Sequence, residues 1–162
     1  MGDNWKISSK DLFNEEKLMI LPFINLKTAL EIGEIASSLG LLRNLPIAIE
    51  VSIGVWTVYH ASLPGSSPEN DSWIARKARV VNLKNHSTLY ERVRAEELSI
   101  NWFTENNLSE KEYAIHGGGL PLIVKEQGFV GSLIVSGLPQ IDDHLFGIEV
   151  LTEYLARMSE SI

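Results

Sequence analysis

The chain has 162 residues, no cysteine, and 14 basic against 21 acidic side chains for a net charge of −7. It therefore forms no disulfide or thiolate metal site and lacks the cationic footprint that a nucleic-acid duplex requires. Its 44% apolar and 22% charged residues are those of an ordinary globular domain, and no apolar run approaches the ~20 residues that cross a bilayer.

A single soluble, cytoplasmic domain is the expectation, with about 1–24 as an N-terminal extension and 25–158 as the core. The N-terminus shows no basic-then-apolar secretory signal. A first helix is expected around Leu12–Met19. Asn25 is the N-cap candidate of a second, whose apolar face (Leu26, Ala29, Leu30, Ile32, Ile35, Ala36, Leu39) ends at Gly40. Ile47, Ile49, Val51 and Ile53 alternate with Ala48, Glu50 and Ser52, the pattern of a strand with one dry face. Gly54 then turns the chain into a second extended segment from Val55 to Leu63.

Ser67-Pro68 starts a helix through about Val81, because proline at the first helical position sacrifices no hydrogen bond. That helix is expected to bury Trp73, Ile74, Ala78 and Val81. Thr88 and Glu91 stand at capping-box spacing and open a helix to about Leu98. Ser109 and Glu112 repeat the device ahead of a short helix expected to stop at Gly117. Pro121 to Glu126 and Phe129 to Ser136 flank Gln127-Gly128 and are apolar on both faces, as in a central hairpin covered on both sides. Pro139 opens the last helix, with Ile141, Leu145, Ile148, Leu151 or Thr152, and Leu155 on one stripe. Four or five strands, mainly hairpin-linked, with helices packed on them make an α+β fold around an antiparallel sheet.

Three clusters carry groups fit for chemistry. Arg76, Lys77, Arg79 and Lys84 crowd together with no acid among them, either an anion site or a plain solvated helix face. Asn70, Asp71 and Trp73 lie earlier on the same helix, Trp73 one turn and Asn70 two turns from the basic residues Arg76 and Lys77. The second cluster is His116 followed by Gly117, Gly118 and Gly119. A glycine run frees φ, admits a ligand to the backbone and can line an anion nest; a helix C-cap is the alternative. It is neither a phosphate-binding loop nor a dinucleotide fingerprint, since the spacing and the strand-to-helix setting are missing. His116 is explained by a helix C-terminal dipole, or serves as ligand or general base.

In the third cluster, Asp142 and Asp143 complement the N-terminal dipole of the last helix, where a cationic His144 is disfavoured. A neutral imidazole there accepts a proton or binds a metal, but adjacent helical residues do not face one another, so no protein-held metal site is expected. His60 and His86 read as ordinary surface or partly buried residues. No Gly-x-Ser-x-Gly elbow is present.

Asn70-Asp-Ser-Trp-Ile-Ala-Arg-Lys77, His86-Ser-Thr, Tyr113-Ala-Ile-His-Gly-Gly-Gly-Leu-Pro-Leu, and Val130-Gly-Ser with Ser136-Gly-Leu-Pro-Gln-Ile-Asp-Asp-His144 together resemble the GlcG/HbpS-like family of "haem-degrading" domains. The likeness is stronger to its branch of small uncharacterised proteins of bacteria and yeasts, and it spans about Leu26 to Leu155. It implies a profilin-like sandwich with an antiparallel sheet, and homo-oligomeric assembly. HbpS-like relatives bind haem and have been linked to its breakdown, and related domains accompany corrinoid enzymes. The resemblance thus admits haem, with His116 or His144 as iron ligand, although the sequence itself names no cofactor.

The residues carried over for binding are Asn70, Asp71, Trp73, Arg76, Lys77, His86, His116, Gly117 and Gly118, with His116, Asp143 and His144 for acid–base chemistry. The branch usually has Arg-Phe-Gly where this chain has Leu83-Lys-Asn85, the loss of an arginine and a glycine near these residues. The expected function is a binding module for a small anionic ligand such as haem or another tetrapyrrole. A partner-binding oligomer without catalysis and an enzyme with a His/Asp acid–base site are the alternatives.

Overall fold

Two hairpins build one sheet. In a computed structural model that describes residues 6–160, β1 (Ala48–Ile53) and β2 (Trp56–Ser62) are joined at Gly54, where φ is +58°. Residues 1–5, on which most of the secretory-signal reading rests, lie outside the described residues. β3 (Gly119–Val124) and β4 (Gly128–Ser136) are joined by a turn in which Glu126 and Gly128 take positive φ. β1 pairs with β4, so the order is β2-β1-β4-β3, antiparallel throughout. The helices are α1 (Ser9–Leu18), α2 (Leu26–Leu42), α3 (Pro68–Lys84), α4 (Thr88–Glu97), α5 (Trp102–Asn106) and α6 (Gln140–Glu160). No helix of the described residues is long and apolar enough to cross a membrane.

Strand alternation deals the side chains to two layers. Ile49, Val51, Leu120, Leu122, Leu133 and Val135 pack beneath α2 and α6 in the main core. Ala48 and Ile134 point the other way, against Ile74 and Val81 of α3. β1 is thus dry on both faces rather than one. The short side chains Ala48 and Ser52, both buried, let α3 close over the positions that alternation assigns to solvent. Of the second hairpin, β4 is central but β3 is an edge, shielded where Leu21 donates to Ile123 O at 2.8 Å and accepts from Lys125 N at 2.9 Å.

The helix starts at Asn25 and Ser67-Pro68 form as expected. The Asn25 side chain accepts from Thr28 N, Thr28 Oγ1 accepts from Asn25 N, both at 2.9 Å, and Ser67 N donates to Asn70 Oδ1 at 2.8 Å. Elsewhere tertiary packing overrides local signals. α2 runs through Gly40, which is buried because a side chain there would meet Leu63 and Ile47, while Leu26 and Leu30 lie exposed. α4 is capped by Ser87, not Thr88; Glu91 instead accepts from Trp102 Nε1 at 3.1 Å.

The segment after Ser109 is one turn and no helix. The amides of Glu112 and Tyr113 both bond Ser109 O, and Ala114 N then donates to Arg76 O, drawing the chain along α3. α5, capped by Asn101, precedes it unannounced. The buried stripe of α6 is shifted from the expected one: Leu145 is exposed, and Asp143, Phe146, Gly147, Val150, Leu151 and Tyr154 face inward.

One close approach between layers gives a direct test. A Cβ on Gly33 of α2 would overlap the Tyr59 ring of β2, whose hydroxyl is hydrogen-bonded to Ser37. Gly33→Ala is expected to cost about 1–3 kcal/mol through overpacking, despite alanine's better helix propensity. Thermal unfolding should show a Tm lowered by several degrees.

Candidate functional site

β4 ends at Ser136, and Gly137, at φ +146°, turns the chain through Pro139 into α6. At this strand end the helices of the two opposite layers meet. Lys77 of α3 donates from Nζ to Val135 O at 2.9 Å and to Asp143 Oδ2 of α6 at 3.2 Å, and the two side chains are only 2% and 3% exposed. Asp143 also accepts from Gly137 N at 3.3 Å and from Leu138 N at 3.0 Å. Mutual attraction and these hydrogen bonds offset the cost of taking both charges out of water. Burial pulls the Lys77 ammonium below the ordinary lysine range, against the favourable charge of Asp143. Burial likewise pushes the Asp143 carboxyl above the usual carboxylate range, against the pull of Lys77 and the Leu138 and Gly137 amides.

Gly118, at φ +122°, belongs to the same construction. A Cβ there would lie 2.7 Å from Lys77 Nζ and collide with Val135 O. The bare backbone makes room for the lysine head, not for a ligand.

Beside this pair opens a cavity of about 330 Å³, lined by Glu69, Asn70, Trp73, Lys77, His116, Ser136, Gln140 and Asp143. The Trp73 and His116 rings stand 4.7 Å apart at 59°, and the Arg76 guanidinium lies 4.0 Å over the indole. Those same two rings, with Arg76 and Tyr113, border a second hollow of about 250 Å³. The Asn70 amide reaches Ser136 Oγ at 3.5 Å. The volume falls at the low end of the ~300–1,000 Å³ of small-molecule pockets.

Of the residues singled out in the sequence, Asn70, Trp73, Lys77, His116 and Asp143 line this cavity, with Arg76 behind Trp73. The structure takes the others elsewhere. Asp71 turns to the surface, its Oδ1 2.8 Å from His60 Nε2 of β2. His86 is held by α1: its Nδ1 lies 2.8 Å from Glu16 Oε2, while Ser87 N donates to Glu16 Oε1 at 2.8 Å. His144 is 1% exposed with Nε2 2.6 Å from Glu15 Oε1, and its buried Nδ1 has no hydrogen-bond partner among the described residues.

The amides of Gly117 and Gly119 are spent on Gln140 Oε1 and Thr88 Oγ1, so they line no anion nest. His116 sits at no helix end, which removes the dipole explanation for it. The basic quartet disperses: Lys77 turns inward, Arg79 donates to Glu112 O at 2.8 Å, and Lys84 reaches Asn106. Leu83 and Asn85 lie on the exposed side of α3 and outside the cavity. Asn85 closes that helix at φ +60°, the left-handed cap in which asparagine replaces glycine at little cost.

Sequence reasoning missed Glu15 and Glu16, which contact histidines 129 and 70 residues away; neither carries a local signal. Ser136 and Gln140 were signalled only as members of a quoted motif.

Removing one charge of the buried pair strands the other. Lys77→Met and Asp143→Ala are each expected to cost about 3–5 kcal/mol, and the double substitution less than the two together, in a urea-denaturation cycle. The Glu16–His86 contact sets a pH dependence. The hydrogen bond to Glu16 holds His86 above the ordinary histidine value despite partial burial, so its stabilisation is complete below the unfolded value of about 6.5. It is lost as pH rises through the higher folded value. The stability gap between the protein and its Glu16→Gln variant should therefore be widest near pH ~6 and narrow towards pH ~9.

The fold defines a class, the α+β sandwiches in which helices pack on a four-stranded antiparallel sheet. The chain belongs to the Haem degrading protein HbpS-like family, whose model matches residues 24–152. It is 35% identical over 147 residues to a UPF0303 protein of Streptomyces avermitilis, covering 91% of this chain and 90% of that one. Identity to a UPF0303 protein of Rhizobium johnstonii is 36% over 143 residues, 88% of each chain. Among solved structures, the Ybr137w protein superposes with a TM-score of 0.84 at 25% identity over 92% of this chain and 88% of that one. A PduOC:Heme complex superposes with a TM-score of 0.67 over 80% and 93% of the two chains, at 12% identity, a likeness of fold alone.

Proposed function

We propose that the chain is a small-molecule-binding module whose ligand occupies the cavity at the end of β4. The ligand lays a flat unsaturated body against Trp73 and His116 and directs a carboxylate or carbonyl oxygen toward Lys77. The observation that carries this reading is a nearly fully buried ammonium bordering open space. An ammonium has three N–H donors, of which Val135 O and Asp143 engage two; the third suits an acceptor in the cavity. Arg76, against the far side of Trp73, adds positive field, and Asn70 and Ser136 add neutral polar contacts.

Haem is a second reading, favoured by the family and by the haem complex among the structural neighbours. His116 is the imidazole at the cavity, whereas His144 is turned to Glu15. His116 would therefore hold the iron, with Lys77 toward a propionate; bound haem would supply redox and oxygen chemistry. The cavity volume suits a ligand smaller than a tetrapyrrole better.

Two titrations separate these readings. Benzoate should shift the Trp73 indole and the Gly137 and Leu138 amide resonances saturably. Haem, if it is the ligand, should give a saturable Soret shift that His116→Ala removes and His144→Ala leaves intact. Saturation by neither probe overturns the binding reading, and a Soret shift indifferent to His116→Ala overturns the haem arrangement.

A further inference from the structure

We propose that Lys77 is a nucleophile that captures a small aldehyde or ketone, one with a flat or carboxylate-bearing body, as a covalent imine. This inference rests on the cavity being a ligand site and names the chemistry of its occupant.

A lysine is an odd choice for a purely structural buried cation. Arginine keeps its charge and grips a carboxylate in a two-pronged fork, whereas a buried amine gives up its proton. Well-packed apolar residues would hold the layers together as firmly as an ion pair. Here the amine also borders a cavity with an aromatic wall, and the residue beside it, Gly118, has no side chain to crowd it. An acid stands 3.2 Å away. Burial lowers the proton affinity of Lys77 and raises that of Asp143, so transfer across that hydrogen bond is eased from both ends. Val135 O keeps the nitrogen in place while its lone pair is freed.

The steps balance. The Lys77 ammonium passes a proton to the Asp143 carboxylate. The neutral amine adds to the carbonyl carbon, the C=O π pair moves to oxygen, and a proton moves from nitrogen to that oxygen, giving a carbinolamine. The Asp143 carboxylic acid protonates the hydroxyl, which leaves as water. The result is a protonated imine on Nζ beside a regenerated carboxylate. One carbonyl oxygen and two protons of the ammonium leave as water, and no oxidant or reductant is needed.

The test uses the full chain, 4-carboxybenzaldehyde and sodium cyanoborohydride, followed by peptide mapping. One adduct per chain is expected, at Lys77, formed well ahead of any at the exposed Lys111 and Lys125 and slowed by benzoate, which keeps the ring and carboxylate but lacks the reactive formyl group. Asp143→Asn, checked for folding by circular dichroism, should slow it by about a hundredfold. Labelling confined to surface lysines overturns the inference, and this readout needs no variant to fold. If benzoate still shifts the Trp73 indole in that case, the binding reading stands without the covalent step; if neither benzoate nor haem binds, both fall.

Discussion

The Lys77–Asp143 pair is the constraint on which the rest of the architecture turns. α3 and α6 lie on opposite faces of the sheet and, among the described residues, share no apolar cluster there. They meet past the end of β4, where the lysine reaches round the strand terminus to the aspartate. A buried ammonium without a partner costs several kcal/mol, so each helix fixes the position and rotation of the other. The inward turn of Asp143 sets the phase of α6, and Phe146, Val150, Leu151 and Tyr154 then follow it into the core. The same demand reaches back to Gly118, where any side chain would displace the ammonium.

The histidines are distributed by the same economy of burial. α1 lies across α4 with Leu12 in a cluster with Leu89 and Val93. It brings Glu15 to His144 and Glu16 to His86. Two imidazoles that look in sequence like members of a site are thereby anchors for the N-terminal helix. His116 alone of the three faces the cavity, beside Trp73.

What the sequence made legible was whatever rests on local chemistry. The helix starts at Asn25 and Ser67-Pro68, the Gly54 turn and the Gln127-Gly128 turn are dictated by residues within a few positions of one another, and the structure has them. The antiparallel α+β sheet followed from them. The errors arose where a distant partner decides. The expected stripe on α6 counted apolar residues and so placed Leu145 inside; a charged Asp143, paired across the fold, rotated the helix by one position. Ser109 and Glu112 spell a capping box, but Arg76 O captures the next amide before a second turn forms. In the site, three segments from the α3, His116 and α6 motifs converge on one cavity. The roles within it were not legible. A lysine in a basic run reads as solvated, and only the tertiary partner 66 residues away makes it a buried one.

That reversal changes what the cavity can do. Four basic residues in a run suggest an anion trap driven by net charge, but the structure removes three of them from the cavity lining and neutralises the fourth with Asp143. Glu69 at the rim further reduces any long-range attraction. A ligand of the kind proposed would then be recognised by short-range contacts: a hydrogen bond from the ammonium, stacking on Trp73, and exclusion of water. A paired ammonium bonded to a buried carboxylate is a poor electrostatic magnet, and the burial that lowers the proton affinity of Lys77 and raises that of Asp143 favours the imine chemistry proposed for it. On that proposal, the burial that weakens anion binding also eases release of the Lys77 proton, and a compact carbonyl compound suits the cavity better than a large polyanion.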